Sequence, residues 1–222
     1  DGSLRVFRPG NGQGVGLECV GLGRDGAHGQ PLCTDITLAI EAGEFVGILG
    51  PSGAGKTTLL EALVGVTRPD RGAVLVNGAP LATARAMLRN DIGYVPQDDI
   101  LHPELTVARS LACTALLRLP RDLGDERRAA LVDTTIATLG LERVRDRPIH
   151  QLSGGQRKRV SIGAELLVRP GVLFLDEPTA GLDPIGAAAL DERVITLQHA
   201  LGLTVLLITH DVDKRYATRA RV

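Results

Sequence analysis

Residues 50–57 read GPSGAGKT, matching G-x-x-x-x-G-K-[ST] directly between the apolar run FVGIL and the apolar-periodic run KTTLLEALV. No other stretch restricts the fold as much. A strand must end and a helix begin within a turn tight enough that glycines stand where a Cβ would obstruct the backbone. The N–H groups of such a loop converge, and the N-terminus of the next helix adds a partial positive charge. A phosphate suits that arrangement. Gly50, Pro51, Ser52, Gly53, Ala54, Gly55, Lys56, Thr57 and Thr58 are therefore candidate nucleotide contacts. Lys56 is spaced to reach the β- and γ-phosphates, and the Thr57 hydroxyl is placed to ligate Mg²⁺.

Around this loop, strand character falls near 15–20, 34–40, 45–49, 72–78, 92–95, 172–175 and 203–208. Helical periodicity covers 56–64, much of 104–145, the segment after Gly155, and 185–199, with a further helical start after the last strand. Within 104–145, Leu105, Arg109, Leu111, Leu116 and Leu117 form one helical set and Ala130 to Leu139 the next. Strands alternating with helices predict an α/β fold with a parallel sheet. The helical stretch at 104–168 interrupts that alternation and reads as an inserted subdomain. Residues 1–13 read as a linker. GLGRDG at 21–26 fits G-x-G-x-x-G, but AHGQPL follows it and cannot open a helix, so it reads as a turn.

Composition sets the limits. With 44% hydrophobic but only 2% aromatic residues, the core must be built from Leu, Val, Ile and Ala. Lys+Arg 25 against Asp+Glu 26 gives no broad basic footprint, so no nucleic-acid partner is expected. Three widely spaced cysteines fit a reduced domain better than a disulfide scaffold or a zinc site. Apolar runs such as LTVLLI are too short to span a bilayer. The chain begins at Asp1 and reads as a piece excised from a longer polypeptide. Its cations are nearly all arginine: Lys56, Lys158 and Lys214 are the three lysines, so a lysine inside a motif stands out.

Four further motifs carry chemistry. VLFLDEP at 172–178 is a buried-strand pattern ending in two carboxylates, and parallel strands deliver such residues to the ligand-binding edge of the sheet. Asp176 would hold Mg²⁺ through water and Glu177 would polarise the attacking water. Read alone, the pair is an ordinary loop; beside a phosphate loop, the catalytic reading takes precedence. VPQDDI places Gln97 after a strand, where its amide reaches the metal or the water, or is simply solvated. LLITHD brings His210 to the same sheet edge, as a structural histidine or a hydrogen-bond partner for a γ-phosphate oxygen. LSGGQRKRV at 152–160 opens a helix with two poor helix formers, an arrangement that suits an anion. Lys56 and Asp176 already account for one nucleotide, so this second helix mouth need not serve the same one.

GPSGAGKTT, Gln97, LSGGQ, LFLDEPTAGLD and His210 stand in the order and spacing of an ATP-binding cassette (ABC) transporter nucleotide-binding domain, which the chain resembles over about residues 15–216. The resemblance implies a RecA-like phosphate-loop NTPase core with a mainly parallel sheet, a small antiparallel β subdomain and an inserted α-helical subdomain. It divides 14–222 into a core of about 14–97 and 157–222 and a helical subdomain of about 98–156. It implies ATP and Mg²⁺ as cofactors, with Thr57, Gln97 and Asp176 at the metal. Glu177 becomes the catalytic glutamate, His210 the switch histidine, and Gln97 a hinge to the helical region. A second such domain, most simply another copy, would pair head to tail. Ser153, Gly154, Gly155 and Gln156 would then contact ATP held by the partner, and Asp183 would lie in the loop that communicates between the sites.

Two departures stand out. Ala180 occupies a position where serine is common, a change of small expected effect. The VGLGRDGAHG stretch lacks the usual aromatic for stacking on adenine, which leaves either Arg24 or His28 for that role or a weak hold on the base. The Arg157–Arg159 run is expected to be a charged helix face. RKRVSIGAELL and DDILHPELTVARSLACTALLRLP are similar to the G subfamily of exporters and its bacterial relatives, in which the ATPase precedes the membrane domain in one polypeptide. That implies an exporter motor at the cytoplasmic face of the cell membrane. A soluble ABC protein acting on ribosomes or DNA is the alternative. The 55 positions from Gln97 to Leu152 hold no sustained heptads, against the long coiled coils of DNA-repair members. A phosphate-loop kinase or GTPase outside the family would leave LSGGQ and His210 unexplained.

Overall fold

The computed structural model describes residues 14–26, 29–51, 53–84, 88 and 90–210. The expected linker at 1–13, His28, Ser52 and the helical start after His210 lie outside the described residues. The chain forms two compact units. The first takes in the described residues up to Tyr94, then Pro170–Glu177 and those from Leu197 on; the second comprises Val95–Arg169 and Pro178–Thr196.

The first unit is organised by strands that cannot choose a face. β7 (Val172–Asp176) and β8 (Thr204–Thr209) are buried at every position, as a strand covered on both sides must be. With β3 (Phe45–Leu49) and β6 (Ile92–Val95) they form a sheet in the order β3-β8-β7-β6. β3 runs parallel to β8 from Phe45–Val205 to Leu49–Thr209, and β7 from Val172–Thr204 to Asp176–Ile208. The strands therefore finish together, with the phosphate loop, Asp176 and His210 leaving from one edge. α1 (Lys56–Val64) packs Leu59, Leu60 and Leu63 into the core that holds Phe174, Leu206 and Ile208.

The second sheet is antiparallel, in the order β2-β1-β4-β5, from β1 (Leu17–Asp25), β2 (Pro31–Ile40), β4 (Arg71–Val76) and β5 (Ala79–Pro80). Asn77 and Gly78, at φ 49° and 78°, make the two-residue turn that joins β4 to β5. The one-turn helix α2 (Leu81–Ala84) follows. The turn expected at 21–26 is instead mostly strand. Residues 21–25 continue β1, with register shifts between Cys19 and Leu22 toward β2 and between Val20 and Gly23 toward β4. Gly21, at φ 57°, supplies the irregularity, and Leu22 remains fully buried beyond it. Asp25 pairs with Arg71 at 2.9 Å and Arg24 with Asp70 at 3.1 Å, closing the strand end. Glycine and aspartate composition signalled a turn where the chain uses a bulge.

The second unit is helical: α3 (Val107–Arg118), α4 (Asp125–Thr138), α5 (Gly154–Leu166) and the first turns of α6 (Pro184–Leu201). Thr106 caps α3 by accepting from the Arg109 N–H at 3.3 Å, and Asp125 and Glu126 match the dipole at the start of α4. Val107, Leu111 and Ala115 line the buried face of α3, whereas Leu116 and Leu117 are 64% and 83% exposed. The five-residue periodic set read from the sequence therefore divides between inside and outside. α5, which the sequence reading splits between core and inserted subdomain, lies wholly in this unit.

Gly72 passes the β1 bulge at φ 75°, and a Cβ there would meet the carbonyl oxygens of Val20 and Gly21. Gly72→Ala is expected to cost about 2–4 kcal/mol, because positive φ and backbone overlap add. A urea unfolding curve with a lower midpoint and an unchanged slope is the expected result.

Candidate functional site

The phosphate loop leaves β3 at Leu49 and enters α1 at Lys56. Gly55 caps the helix in the left-handed region at φ 82°, and a Cβ there would reach the Leu32 carbonyl oxygen at 2.5 Å. Only glycine satisfies both demands. Gly53 is also left-handed, at φ 80°. Lys56, only 9% exposed, turns back over the loop and donates to the Gly50 and Pro51 carbonyls, each at 2.8 Å. Its side chain thus spans the loop that its backbone helps to form.

Asp176 ends β7 and is buried. The Thr57 hydroxyl points to its Oδ1 at 3.5 Å, too long for a strong hydrogen bond. Burial raises the Asp176 carboxyl above the ordinary carboxylate range; Glu177 and Glu61 push the same way, while Thr57 and Lys56 oppose them. Tyr94, on β6, has its phenol pushed up to about 12 by burial and then by the charges of Asp176 and Glu61. A divalent cation relieves such crowding of acidic groups. Two hard oxygens, Thr57 Oγ1 and Asp176 Oδ1, fit Mg²⁺, which takes few protein ligands and completes its shell with phosphate and water.

Glu177 adopts φ 42°, a left-handed conformation rare outside glycine, and its N–H donates to the Ile208 carbonyl at 2.9 Å. One carboxylate oxygen lies 2.7 Å from His210 Nδ1 and the other 4.0 Å from Lys56 Nζ. Lys56, Thr57, Asp176, Glu177 and His210 are thus gathered within the first unit. Arg24, a candidate for the adenine, is engaged with Asp70.

Gln97, Ser153–Gln156 and Asp183 belong to the second unit. Ser153 and Gln156 form a reciprocal capping box at the start of α5, with bonds of 3.3 and 3.0 Å. Gly154 and Gly155 follow as the first two helical residues, whose N–H groups have no intrahelical acceptor. Leu182 packs over Gly154, where a Cβ would displace the tip of its side chain at 2.8 Å, whereas a Cβ on Gly155 would make only ordinary contact. Asp183 caps α6, its Oδ1 accepting from the N–H groups of Ile185 and Gly186 at 3.1 and 2.9 Å.

The Arg157–Arg159 run, expected as a charged helix face, is bonded to carbonyls of its own unit. Arg157 donates to the Leu152 carbonyl at 2.7 Å. Arg159 donates to the carbonyls of Leu139 and Gly140 at the end of α4. Lys158 is only 5% exposed. Sequence reasoning passed over Lys158, Tyr94, Glu61 and Leu182. Only Lys158 carried a signal, as one lysine among many arginines; the others sit in unremarkable apolar or helical patterns.

Comparison with known proteins bears on these observations directly. The family described as ABC transporter matches residues 33–180. An ABC transporter ATP-binding/permease protein of Mycobacterium tuberculosis is 42% identical over 82% of this chain, which spans 21% of that protein. ABC transporter G family member 14 of Arabidopsis thaliana is 43% identical over 84% of the chain, spanning 29% of that protein. The cobalt import ATP-binding protein CbiO of Rhodobacter capsulatus is 41% identical over 85% of the chain, here covering 67% of the relative. Among solved structures, a dimeric ATP-binding cassette in a post-hydrolysis state, bound to ADP and Pi, superposes with a TM-score of 0.78 at 28% identity, covering 89% of each chain. The chain belongs to the ABC transporter family and is an ATP-binding ATPase domain of that family.

Proposed function

We propose that this chain is the motor of an exporter, closing head to tail with a second copy around two Mg-ATP and opening on hydrolysis. The observation that carries this reading is Glu177, held 2.7 Å from His210 and 4.0 Å from Lys56 beside the phosphate loop. A carboxylate placed there can polarise a water toward a γ-phosphate, while Lys56, the loop amides and the cation at Thr57 and Asp176 neutralise charge. Thr57 and Asp176 would hold Mg²⁺, which would supply charge neutralisation at the phosphates; the protein's own task is to position the water and exclude alternatives. The family resemblance alone assigns Gln97 to the metal as well. The Ser153 hydroxyl and the N–H groups of Gly154 and Gly155 cap the γ-phosphate held by the other copy, with Gln156 maintaining the cap and Asp183 linking the two sites.

The dimeric cassette among the structural relatives supports the pairing. The relative named as an ATP-binding/permease protein supports membrane domains in the same polypeptide; on this reading the present chain works at the cytoplasmic face of the cell membrane. Among the described residues no helix is long and apolar enough to cross a membrane. An import reading has its own support in the similarity to a cobalt import subunit. Reconstitution of the parent transporter in vesicles, with ATP on one side only, separates the two by the direction of substrate flux.

Light scattering on the chain and its Glu177→Gln variant tests the sandwich. Mg-ATP should convert the variant alone into a stable dimer, and a further Ser153→Arg change should return it to monomer. A variant that binds ATP yet stays monomeric removes the head-to-tail reading. Asp176→Asn tests the metal side and the raised carboxyl together. A carboxyl whose folded pKa is raised stabilises the fold fully below its unfolded pKa and loses that contribution as pH rises through the folded value. Above its raised folded value the ionised Asp176 therefore works against folding. Asp176→Asn should leave Tm at pH 7 no lower than in the parent, while Mg²⁺-dependent hydrolysis falls at least about a hundredfold. A lower Tm at pH 7 would contradict the assignment.

A further inference from the structure

Lys158 lies one turn into α5, buried, with no part in the nucleotide contacts assigned above. Its ammonium donates to the Gln97 carbonyl at 2.8 Å and the Pro96 carbonyl at 3.2 Å, and it pairs with Asp99 Oδ1 at 2.9 Å. The same Oδ1 accepts from the Ser161 hydroxyl at 2.9 Å. An ammonium has three protons, and here three acceptors receive them. Lys158 and Ser161 are three residues apart and so share a face of the helix. Segment 96–99 is thereby fastened to α5 at two points through one lysine, one serine and one aspartate.

A buried ammonium is costly unless every proton is matched, and two of these acceptors are backbone carbonyls of an exposed segment. Packing alone would be served by an apolar residue. This arrangement instead specifies where the backbone of Gln97 sits relative to the first turn of α5. We propose that Lys158 is a positioning residue that locks the Gln97 segment to the helix bearing Ser153, Gly154 and Gly155, so that the two move as one piece. The proposal rests on the reading that Gln97 serves one ATP and the α5 N-terminus the ATP of the partner. Under that reading the lock makes closure over one nucleotide and alignment of the metal-side glutamine at the other a single event. Asp99 acts as the hasp, held by charge to Lys158 and by hydrogen bond to Ser161.

Two variants test it. Lys158→Met keeps side-chain length and removes the donors; Asp99→Asn keeps shape and the Ser161 acceptor and removes the charge, providing a milder disruption should the first fold poorly. Hydrogen exchange on the Glu177→Gln chain gives a readout independent of turnover. With Lys158 present, Mg-ATP should slow amide exchange at 97–100 and 154–157 together. With Lys158→Met or Asp99→Asn, 154–157 should still be protected while 97–100 is not. In steady-state kinetics without the Glu177 change, kcat should fall about 10- to 100-fold, the loss expected when a reacting group is misplaced by about 1 Å. The Mg²⁺ concentration for half-maximal rate should rise, and ATP affinity of the single chain should be unchanged. The two changes combined should do little more than Lys158→Met alone. Parental exchange coupling and Mg²⁺ requirement in both variants would overturn the lock while leaving the proposed function intact. Failure of Glu177→Gln itself to dimerise with Mg-ATP would overturn the reading beneath it, and the lock with it.

Discussion

The pairing of β7 with β8 is the constraint from which the site in the first unit follows. Both strands are buried throughout, so a one-residue slip would carry every side chain to the opposite, equally packed face and break the close packing on both sides. Their register ends with Asp176 opposite Ile208, and the next amide, that of Glu177, still bonds the Ile208 carbonyl. The chain must leave the sheet there, and it does so through a left-handed residue at φ 42°. Asp176 is thereby kept in the sheet beside Thr57, while Glu177 is re-aimed toward His210 and Lys56. Two adjacent carboxylates acquire different surroundings because one belongs to the ladder and the other to the turn.

Two of the chain's three lysines use one device in two ways. Lys56 and Lys158 are both buried, and each gathers two neighbouring backbone carbonyls of a loop. Their third interactions differ. Glu177 lies 4.0 Å from Lys56, whereas Asp99 lies 2.9 Å from Lys158. Phosphate oxygens form charge-assisted bonds roughly twice as strong as those of neutral carbonyls, so Lys56 can exchange its carbonyls for a nucleotide. Lys158 already holds a close carboxylate and has no reason to let go. The same ammonium chemistry gives an exchangeable clasp in one unit and a fixed one in the other.

Much of this was legible from residue order. The helix at 56–64 and the strands at 45–49 and 92–95 have the boundaries read from the sequence, because turn formers punctuate them: Gly55 and Gly65 the helix, Gly43 and Gly50 the first strand, Asp91 and Pro96 the second. The gathering of Lys56, Asp176, Glu177 and His210 followed from the rule that parallel strands present their C-terminal ends together. Residues 21–25 were misread because a bulge and a turn draw on the same residues, and only the partners of Arg24 and Asp25 distinguish them. The surroundings of the Arg-Lys-Arg run stay open in the sequence because three consecutive cations on a helix point in three directions. Their fates depend on carbonyls 4 to 62 positions away, most of which no local pattern records. Tyr94 and Glu61 gain their relation to Asp176 only through tertiary proximity.

The unfavourable features of the chain lie where its chemistry is. Glu177 carries a backbone conformation that costs of order 1–3 kcal/mol in a non-glycine residue, and Asp176 is buried against two other carboxylates. Neither helps the protein fold; each is imposed by the ladder and the core around Phe174, Leu206 and Ile208. The α5 N-terminus is different. There the paired glycines weaken the helix, but a complete capping box between Ser153 and Gln156, on either side of them, offsets part of that loss, and Leu182 packs against Gly154. Strain in the first unit is sustained by burial, whereas weakness in the second is offset locally by hydrogen bonds. A polar change at Phe174 should therefore disturb Glu177 from a distance, through the ladder that fixes its backbone.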